Sequence, residues 1–386
     1  MSTPAPGTAR RLLVPRWRRE SLRTTLWLVP SIMVVGACLL FLATYLIDRA
    51  AADGRITLPD WLNSGGPDVA RTVLTAIAAA IITVVGVVFS IVILALTLAS
   101  TQFGPRMLRN FIRDLGTQVT LGAFVATFVF CVLALGSIRS TPSSEFVPHL
   151  SVTVALGLVL VDLGVLIYFI HHVAVSIQLN EVIAGIGRDL SRAIEQEIAA
   201  GRVADHAEEA EREAAVLEQR GEDVLAKRSG YLQVVSHDDL VDIAVREGVT
   251  IRLLFRPGHF VSTGRPMANV WPAERASVVA RALDRAHVTG KHRTLSQDLI
   301  FAVDQLVEIA IRALSPAVND TFTALTCIDW LTDGLSRLEG RSFPIAIFRD
   351  EAGAVRLIQP GLAYRKVVDR AFDKIRQAGR GMPAVL

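Results

Sequence analysis

Residues with useful chemistry are sparse in this sequence, and they fall into three groups. The first is a row of small and hydroxylated residues inside a long apolar run, named here the small-residue seam: Ala76, Ala79, Thr83, Gly86, Ser90, Ile93, Thr97 and Ser100. The second is Asp162, an acid in the middle of another apolar run. The third is a polar set around residues 304–320. These residue types suit ion binding, proton binding and ion pairing.

The small-residue seam has the spacing of one side of a helix. Thr83, Ser90 and Thr97 recur every seven residues, and a second row from Ala79 to Ser100 runs beside them. Small residues let membrane helices approach closely and form hydrogen bonds across the contact. The same side could instead face water around the axis of an oligomer, as the lining of a pore. The sequence leaves both interpretations open.

Asp162 also has two interpretations. An ionised carboxylate within a membrane is costly, so we expect this side chain to face the helix bundle or water. It is either an ion or proton site, or a protonated acid bonded to a Ser or Thr, such as those of the second apolar run.

The polar set near residue 310 is spaced along one helix and the junction after it. Asp304, Glu308 and Arg312 follow each other at intervals of four residues, and Asn319 and Asp320 can cap the next helix. The oxygen atoms of the acids and Asn319 could bind a divalent cation. We favour a network of ion pairs and caps, and we predict neither a metal site nor a cofactor.

Familiar catalytic patterns are missing from the chain. There is no P-loop, zinc-protease helix motif, nucleophile elbow or dinucleotide fingerprint, and the three cysteines are scattered. We therefore predict that the protein is not an enzyme. The net charge of +3 is nearly balanced, which argues against a nucleic-acid partner.

Hydrophobic residues make up 51% of the chain, and they are concentrated in its first half. Four runs are long enough to cross a bilayer, and we expect the first and third to be plain lipid-facing anchors. Arginines cluster before the first run and between the second and third, which predicts that both termini are cytoplasmic. The runs are Leu26–Ile47, Thr72–Ser100, Thr117–Ile138 and Leu150–Ile170.

The expected fold is thus an α-helical transmembrane bundle of four helices plus a cytoplasmic α+β domain. We divide it into a basic N-terminus (1–23), a transmembrane domain (24–175), a charged helical connector (176–228) and the α+β domain (229–386). The connector is expected to extend the fourth helix, with an apolar stripe on one side. The second span ends at Gly104-Pro105, and a short basic amphipathic helix is predicted at Met107–Leu115.

Several motifs together resemble an uncharacterised bacterial membrane-protein family, domain of unknown function 2254. The resemblance runs over nearly the whole chain and implies a bacterial cytoplasmic membrane, but it implies no activity and no site residues. The order of long helix, Gly-Pro break and amphipathic helix also resembles small-conductance mechanosensitive channels over about 40 residues. The family motifs are Ser100–Arg106, Asn110–Asp114, Gly230–Gln233, Gln297-Asp298, Arg312–Asp320 and Phe322–Ala324.

The functional prediction is an oligomeric ion channel or conductance pathway in the bacterial inner membrane. The second helix would line it, and the cytoplasmic domain would gate it. The partners would be the lipid bilayer, other copies of the chain and ions. The alternative is a membrane-anchored sensor or scaffold whose cytoplasmic domain binds a ligand or partner, and a transporter is the third hypothesis.

Overall fold

The computed structural model describes residues 27–57, 59, 62, 65–103, 114–141, 144–199, 207–339 and 343–385. Two compact units divide the chain after Gln178. The predicted basic N-terminus lies outside the described residues, as does the predicted amphipathic helix except for its last two residues, Asp114 and Leu115.

Four helices in the described part of the N-terminal unit are long and apolar enough to span a membrane. They confirm the four predicted spans, and each extends beyond its apolar run at one end or at both. The second starts at Pro67, whose fixed φ suits the first position of a helix. The elements are α1 (Leu28–Ala52), α2 (Pro67–Phe103), α3 (Leu115–Ser137), β1 (Arg139–Thr141), β2 (Ser144–Phe146) and α4 (His149–Ser176).

Helix α3 is the most buried of these four helices, and it packs against α1, α2 and α4. The expectation that the third span is a lipid-facing anchor is therefore wrong. The physical reason is that α3 has small residues where its neighbours approach. At Gly122, an added Cβ would lie 3.2 Å from the backbone of Pro30 and 2.5 Å from the sulfur of Met33 in α1.

Two carboxylates tie α4 to the other helices at its two ends. Asp48 of α1 is buried, and it accepts hydrogen bonds from first-turn backbone N–H groups of α4 at 2.8 and 3.0 Å and from the Ser151 hydroxyl at 2.8 Å. Asp114 caps α3 by accepting from the Thr117 N–H at 2.7 Å. Its Oδ2 also lies 2.8 Å from Nε2 of His172, near the other end of α4. These contacts satisfy helix-end groups that have no partner within their own helix.

The C-terminal unit combines helices with two sheets and matches the predicted α+β class. Its helices are α5 (Leu179–Ala199), α6 (Ala207–Arg220), α7 (His237–Glu247), α8 (Ala276–Ala286), α9 (Leu299–Ala313), α10 (Thr321–Ser336) and α11 (Tyr364–Ala378). Its strands are β3 (Glu222–Leu225), β4 (Gly230–Val235), β5 (Thr250–Leu253), β6 (Phe260–Val261), β7 (Pro266–Trp271), β8 (His287–Gly290), β9 (Phe343–Arg349) and β10 (Val355–Leu362).

Strand pairing in this unit is mainly antiparallel. One sheet has the order β3-β7-β5-β10-β9, in which β10 and β5 are parallel, and the other has the order β6-β4-β8. Helices α7 and α8 share a hydrophobic core with strands of both sheets. The sequence pattern predicts strands close to β4, β5, β7, β9 and β10 and helices close to α7, α9, α10 and α11, and it does not predict β3, β6, α8 or β8.

A second group of helices surrounds α9, which packs against α5, α10 and α11. The charged connector was expected to continue the fourth span, but α4 ends at Ser176 and α5 begins at Leu179. The apolar stripe of α5 is fully buried against α9 and α10, so α5 belongs to the core of the C-terminal unit. That stripe consists of Ile183, Ile186, Leu190 and Ile194.

Candidate functional sites

The small-residue seam lies on the outer side of α2. Seven of its members are exposed and Ser100 is half-buried. The residues of α2 that pack into the bundle lie on the other side of the helix, and they include Leu74, Ile81 and Val88. Among the described residues, α2 therefore packs on the other helices mainly through the side opposite the seam, and this packing does not account for the row of small residues.

The hydroxyl groups of the seam are bonded to their own helix. Thr83, Ser90 and Thr97 each donate to the carbonyl four residues earlier, at 2.9 Å. These bonds satisfy the hydroxyl protons within the helix itself, and the exposed oxygens of Thr83 and Ser90 keep lone pairs that can accept a further hydrogen bond. Gly86 lies between them with no atom within 4 Å of an added Cβ. The exposed side of α2 is thus small, weakly polar and open to close approach by another surface.

Asp162 of α4 points into the bundle and is 3% exposed. Its carboxyl group is hydrogen-bonded by the Thr127 side chain of α3. The partner is therefore on the third helix, whereas the sequence suggested the hydroxyls of the second. Within the described residues, Oδ2 of Asp162 has no hydrogen-bond partner. One oxygen is thus held by a neighbouring helix and the other is free to take a proton or an ion.

The polar set predicted around residue 310 is divided between two places. Asp304 is held by Arg293 and Arg370, which come from outside the predicted set. Asp320 caps α10 by accepting from the Thr323 N–H at 3.1 Å and its hydroxyl at 2.6 Å.

The other three members flank these two acids. Glu308 and Arg312 follow Asp304 along α9, and Asn319 precedes the cap with a positive φ of 51°. Among the described residues, no group of three or more His, Cys, Asp or Glu side chains is placed to hold a metal ion.

A cluster of basic side chains in the C-terminal unit was not predicted from the sequence. It lines an open cavity of about 380 Å³ in the C-terminal unit, which we name the basic cavity. Its charged members come from the loop after β5, the loop before α9 and the first turns of α11, so no single stretch of sequence contains the whole cluster. They are Arg256, Arg293, Asp298, Lys366 and Arg370.

Two carboxylates organise part of this cluster. Asp298 is almost fully buried, and it binds Arg293 through both oxygens at 2.7 and 2.9 Å. Asp304 then bridges Arg293 at 2.5 Å and Arg370 at 2.5 and 2.9 Å. Burial lowers the pKa of Arg293, but its bonds to the two acids outweigh this effect and raise the pKa above its usual value. Both acids are thereby neutralised within the cluster.

Together these features define a membrane protein with four apolar helices that could cross the bilayer and a mixed helix and sheet domain. The chain belongs to the family described as predicted membrane protein DUF2254, whose model matches residues 23–386. This confirms the resemblance found in the sequence motifs.

The chain is similar to two mycobacterial proteins. They are the uncharacterized protein Mb1321c of Mycobacterium bovis and the uncharacterized protein Rv1290c of Mycobacterium tuberculosis. Each is 33% identical over 332 residues, which cover 83% of this chain and 62% of the relative. The chain thus spans less than two thirds of the length of these relatives. No solved structure matches it.

Proposed function

We propose that copies of this chain assemble through the small-residue seam and form a conductance path for ions across the bacterial cytoplasmic membrane. In this proposal α2 lines the path, the C-terminal domain lies in the cytoplasm and gates it, and the protein is not an enzyme. The observation that supports the proposal is the position of the seam. It is small and hydroxylated, yet it is exposed on the outside of a single chain.

The physical argument compares the seam with an ordinary lipid-facing surface. Lipid tails are as apolar as Leu, so lipid alone gives no reason to place Gly, Ser and Thr in a row. Such residues favour close contact with another helix, and their outward oxygen atoms can face ions or water. Helix α2 has 37 residues, or about 55 Å at 1.5 Å per residue, whereas the hydrocarbon core is about 30 Å thick. It therefore reaches beyond the bilayer, as a pore helix coupled to a gate would.

The orientation follows from arginine placement. Six arginines precede the first span, and three lie between the second and third: Arg10, Arg11, Arg16, Arg18, Arg19, Arg23, Arg106, Arg109 and Arg113. Short loops rich in arginine stay in the cytoplasm, which supports cytoplasmic placement of both termini.

The experiment is reconstitution of the full chain into planar bilayers, with a matched pair of variants. Gly86→Val adds an isopropyl group to the seam, whereas Gly36→Val adds the same atoms to an exposed position of α1 that also has open space around it. The helix-propensity cost is the same in both. We expect a wild-type conductance that Gly86→Val reduces or abolishes and Gly36→Val leaves intact. A silent bilayer with correctly folded protein, or equal effects of the two variants, would overturn the proposal.

The second candidate is a membrane-anchored sensor, and the basic cavity is the observation that favours it. Under this hypothesis a ligand binds the C-terminal domain, and the membrane helices carry no current. A folded, oligomeric and ligand-responsive protein that stays silent in the bilayer would select the sensor over the channel.

A further inference from the structure

The structure assigns an anion-binding site to the basic cavity, and we propose that its ligand carries a phosphate group. This inference goes beyond the proposed membrane function and does not depend on it. The inference rests on the balance of charges, on an arginine that makes no hydrogen bond or ion pair through its side chain among the described residues, on the helix that borders the cavity and on the rigidity of the walls.

The cavity has more positive charge than its own acids neutralise. Arg256, Arg293, Lys366 and Arg370 line it, and the acids among or beside them are Asp298 and Asp304. Glu197 shares the smaller neighbouring cavity with Arg256, and one positive charge still remains in excess when it is counted. A surplus of positive charge in a partly enclosed space favours a bound anion.

Arg256 is the side chain that most needs such a ligand. In the part of the chain that the structure describes, its half-buried guanidinium group has no hydrogen bond and no ion pair. Burial lowers the pKa of Arg256. The negative charges of Asp298 and Glu197 raise this pKa and the positive charges of Arg293 and Arg370 lower it, and the net result is a pKa below its usual value. Its planar set of donors matches two oxygens of a phosphate group.

Helix α11 adds a second basic feature at the same cavity. Its N-cap residue, Ala363, lines the cavity and has no side chain that can cap the helix. The first turn contains no acid and instead holds Arg365 and Lys366. Positive side chains at the positive end of a helix are unfavourable alone, whereas a phosphate bound there is stabilised by the backbone N–H groups and by the charges.

The wall of the cavity is fixed by close packing around Asp298. Gly258 has a φ of 95° and lies so close to this carboxylate that an added Cβ would be 2.2 Å from Oδ2. The same carboxylate caps α9 through the Phe301 N–H at 3.2 Å and binds Arg293. The loop that contains Arg256 is thus packed against the Asp298 carboxylate, which also holds Arg293 in place. A cavity of about 380 Å³ suits a phosphorylated small molecule or a lipid headgroup.

The test is a calorimetric titration of the full chain with inorganic phosphate and with pyrophosphate at constant ionic strength. The protein is held in phosphatidylcholine nanodiscs. We expect saturable binding of at least one of the two probes. The Kd should rise about tenfold or more in Arg256→Gln and severalfold in Lys366→Gln, because each loses a charge-assisted hydrogen bond.

Lys374→Gln is the matched control. Lys374 lies two turns further along α11, is exposed and does not line the cavity, so its Kd should stay within about twofold of the wild type. Neither tested lysine nor Arg256 has an ion pair in the described residues, so folding should survive all three changes. The absence of saturable binding of both probes, equal weakening by all three variants, or equal binding of chloride would overturn the proposal.

A second arm identifies the source of the phosphate. The same titration is repeated in nanodiscs that contain phosphatidylglycerol. If the natural ligand is a lipid headgroup, it will occupy the cavity and block the soluble probes. If the ligand is a soluble molecule, the two lipid compositions will give the same Kd. Both results support the phosphate site and assign its source.

Discussion

A glycine pair in α5 tests whether this helix belongs to the core of the C-terminal unit. Gly187 is buried against α10, and a Cβ added there would lie 2.2 and 2.5 Å from two ring atoms of Trp330. Gly185, two residues earlier in the same helix, has open space at the same position. The two substitutions Gly187→Ala and Gly185→Ala are therefore equal in chemistry and helix propensity and differ in packing.

The magnitude follows from two opposing effects. Alanine stabilises a helix interior by about 1 kcal/mol relative to glycine, and both variants gain this. At Gly187 the indole must also move by more than about 1 Å to restore ordinary contact near 3.5–4.0 Å. Such overpacking costs about 1–3 kcal/mol. For a domain of this size, the difference lowers the Tm of Gly187→Ala by about 2–12 °C relative to Gly185→Ala.

The assay is thermal unfolding of the full chain in detergent, followed by tryptophan fluorescence. Adding Trp330→Leu to both variants should remove most of the difference in Tm between them, because the indole ring that the new Cβ would contact is then absent. Equal melting temperatures for the two alanine variants would refute the packing of α5 on α10 and restore the idea of a solvated connector.

Three further predictions concern buried acids. Asp48→Ala should lower the free energy of unfolding of the N-terminal unit in detergent by about 2–4 kcal/mol, because the first turn of α4 loses its cap. The control is Asp53→Ala, at the exposed position just after α1, which should change this free energy by less than about 0.5 kcal/mol. Thr127→Val should cost about 1–3 kcal/mol by leaving the Asp162 carboxyl unbonded, while Thr153→Val, whose hydroxyl bonds its own helix, should be nearly neutral. Burial raises the pKa of Asp304, but Arg370 and Arg293 outweigh this and hold the pKa below its usual value. A group whose pKa is lowered in the folded state stabilises the fold above its unfolded-state pKa, and this stability is lost as the pH falls through the folded-state pKa. Below about pH 4 the free energy of unfolding should therefore fall less steeply with decreasing pH in Asp304→Asn than in the wild type.

Some parts of the fold could be predicted because they depend on local sequence. The four spans follow from run length and hydropathy. The basic and apolar residues near the C-terminus predict a last helix at about Tyr364–Ala378, and α11 has these bounds. Asp320 was predicted as a cap and is one, since capping joins residues only three positions apart.

Other parts depend on which distant elements meet, and the sequence alone does not give this. The apolar stripe of α5 was visible, but its partners α9 and α10 lie more than 100 residues away. Asp48 directly follows the first apolar run, Leu26–Ile47, and nothing near it in the sequence shows that it caps a helix that starts at residue 149. The spacing of the small-residue seam was clear, yet the side of α2 that it occupies became clear only when the buried side was known.

The basic cavity could not be predicted from the sequence, and the reason is geometric. Arg256, Arg293 and Arg370 belong to separate segments that come together in the folded domain. The presence of Arg365 and Lys366 in the first turn of a helix was a local signal of an anion site. It was visible in the sequence once the start of α11 was predicted.

The most direct measurement of the central claim is cross-linking between copies in native membranes. Cys38 is exposed on α1, whereas Cys131 and Cys327 are buried. Cys38 therefore serves as a control for cross-linking at an exposed position outside the seam. In a Cys38→Ser background, Ser90→Cys should form covalent oligomers with copper phenanthroline or a short bis-maleimide. The unaltered chain, with Cys38 alone exposed, should stay monomeric on a denaturing gel. If Ser90→Cys stays monomeric, or if Cys38 cross-links equally well, the small-residue seam does not join copies of this protein.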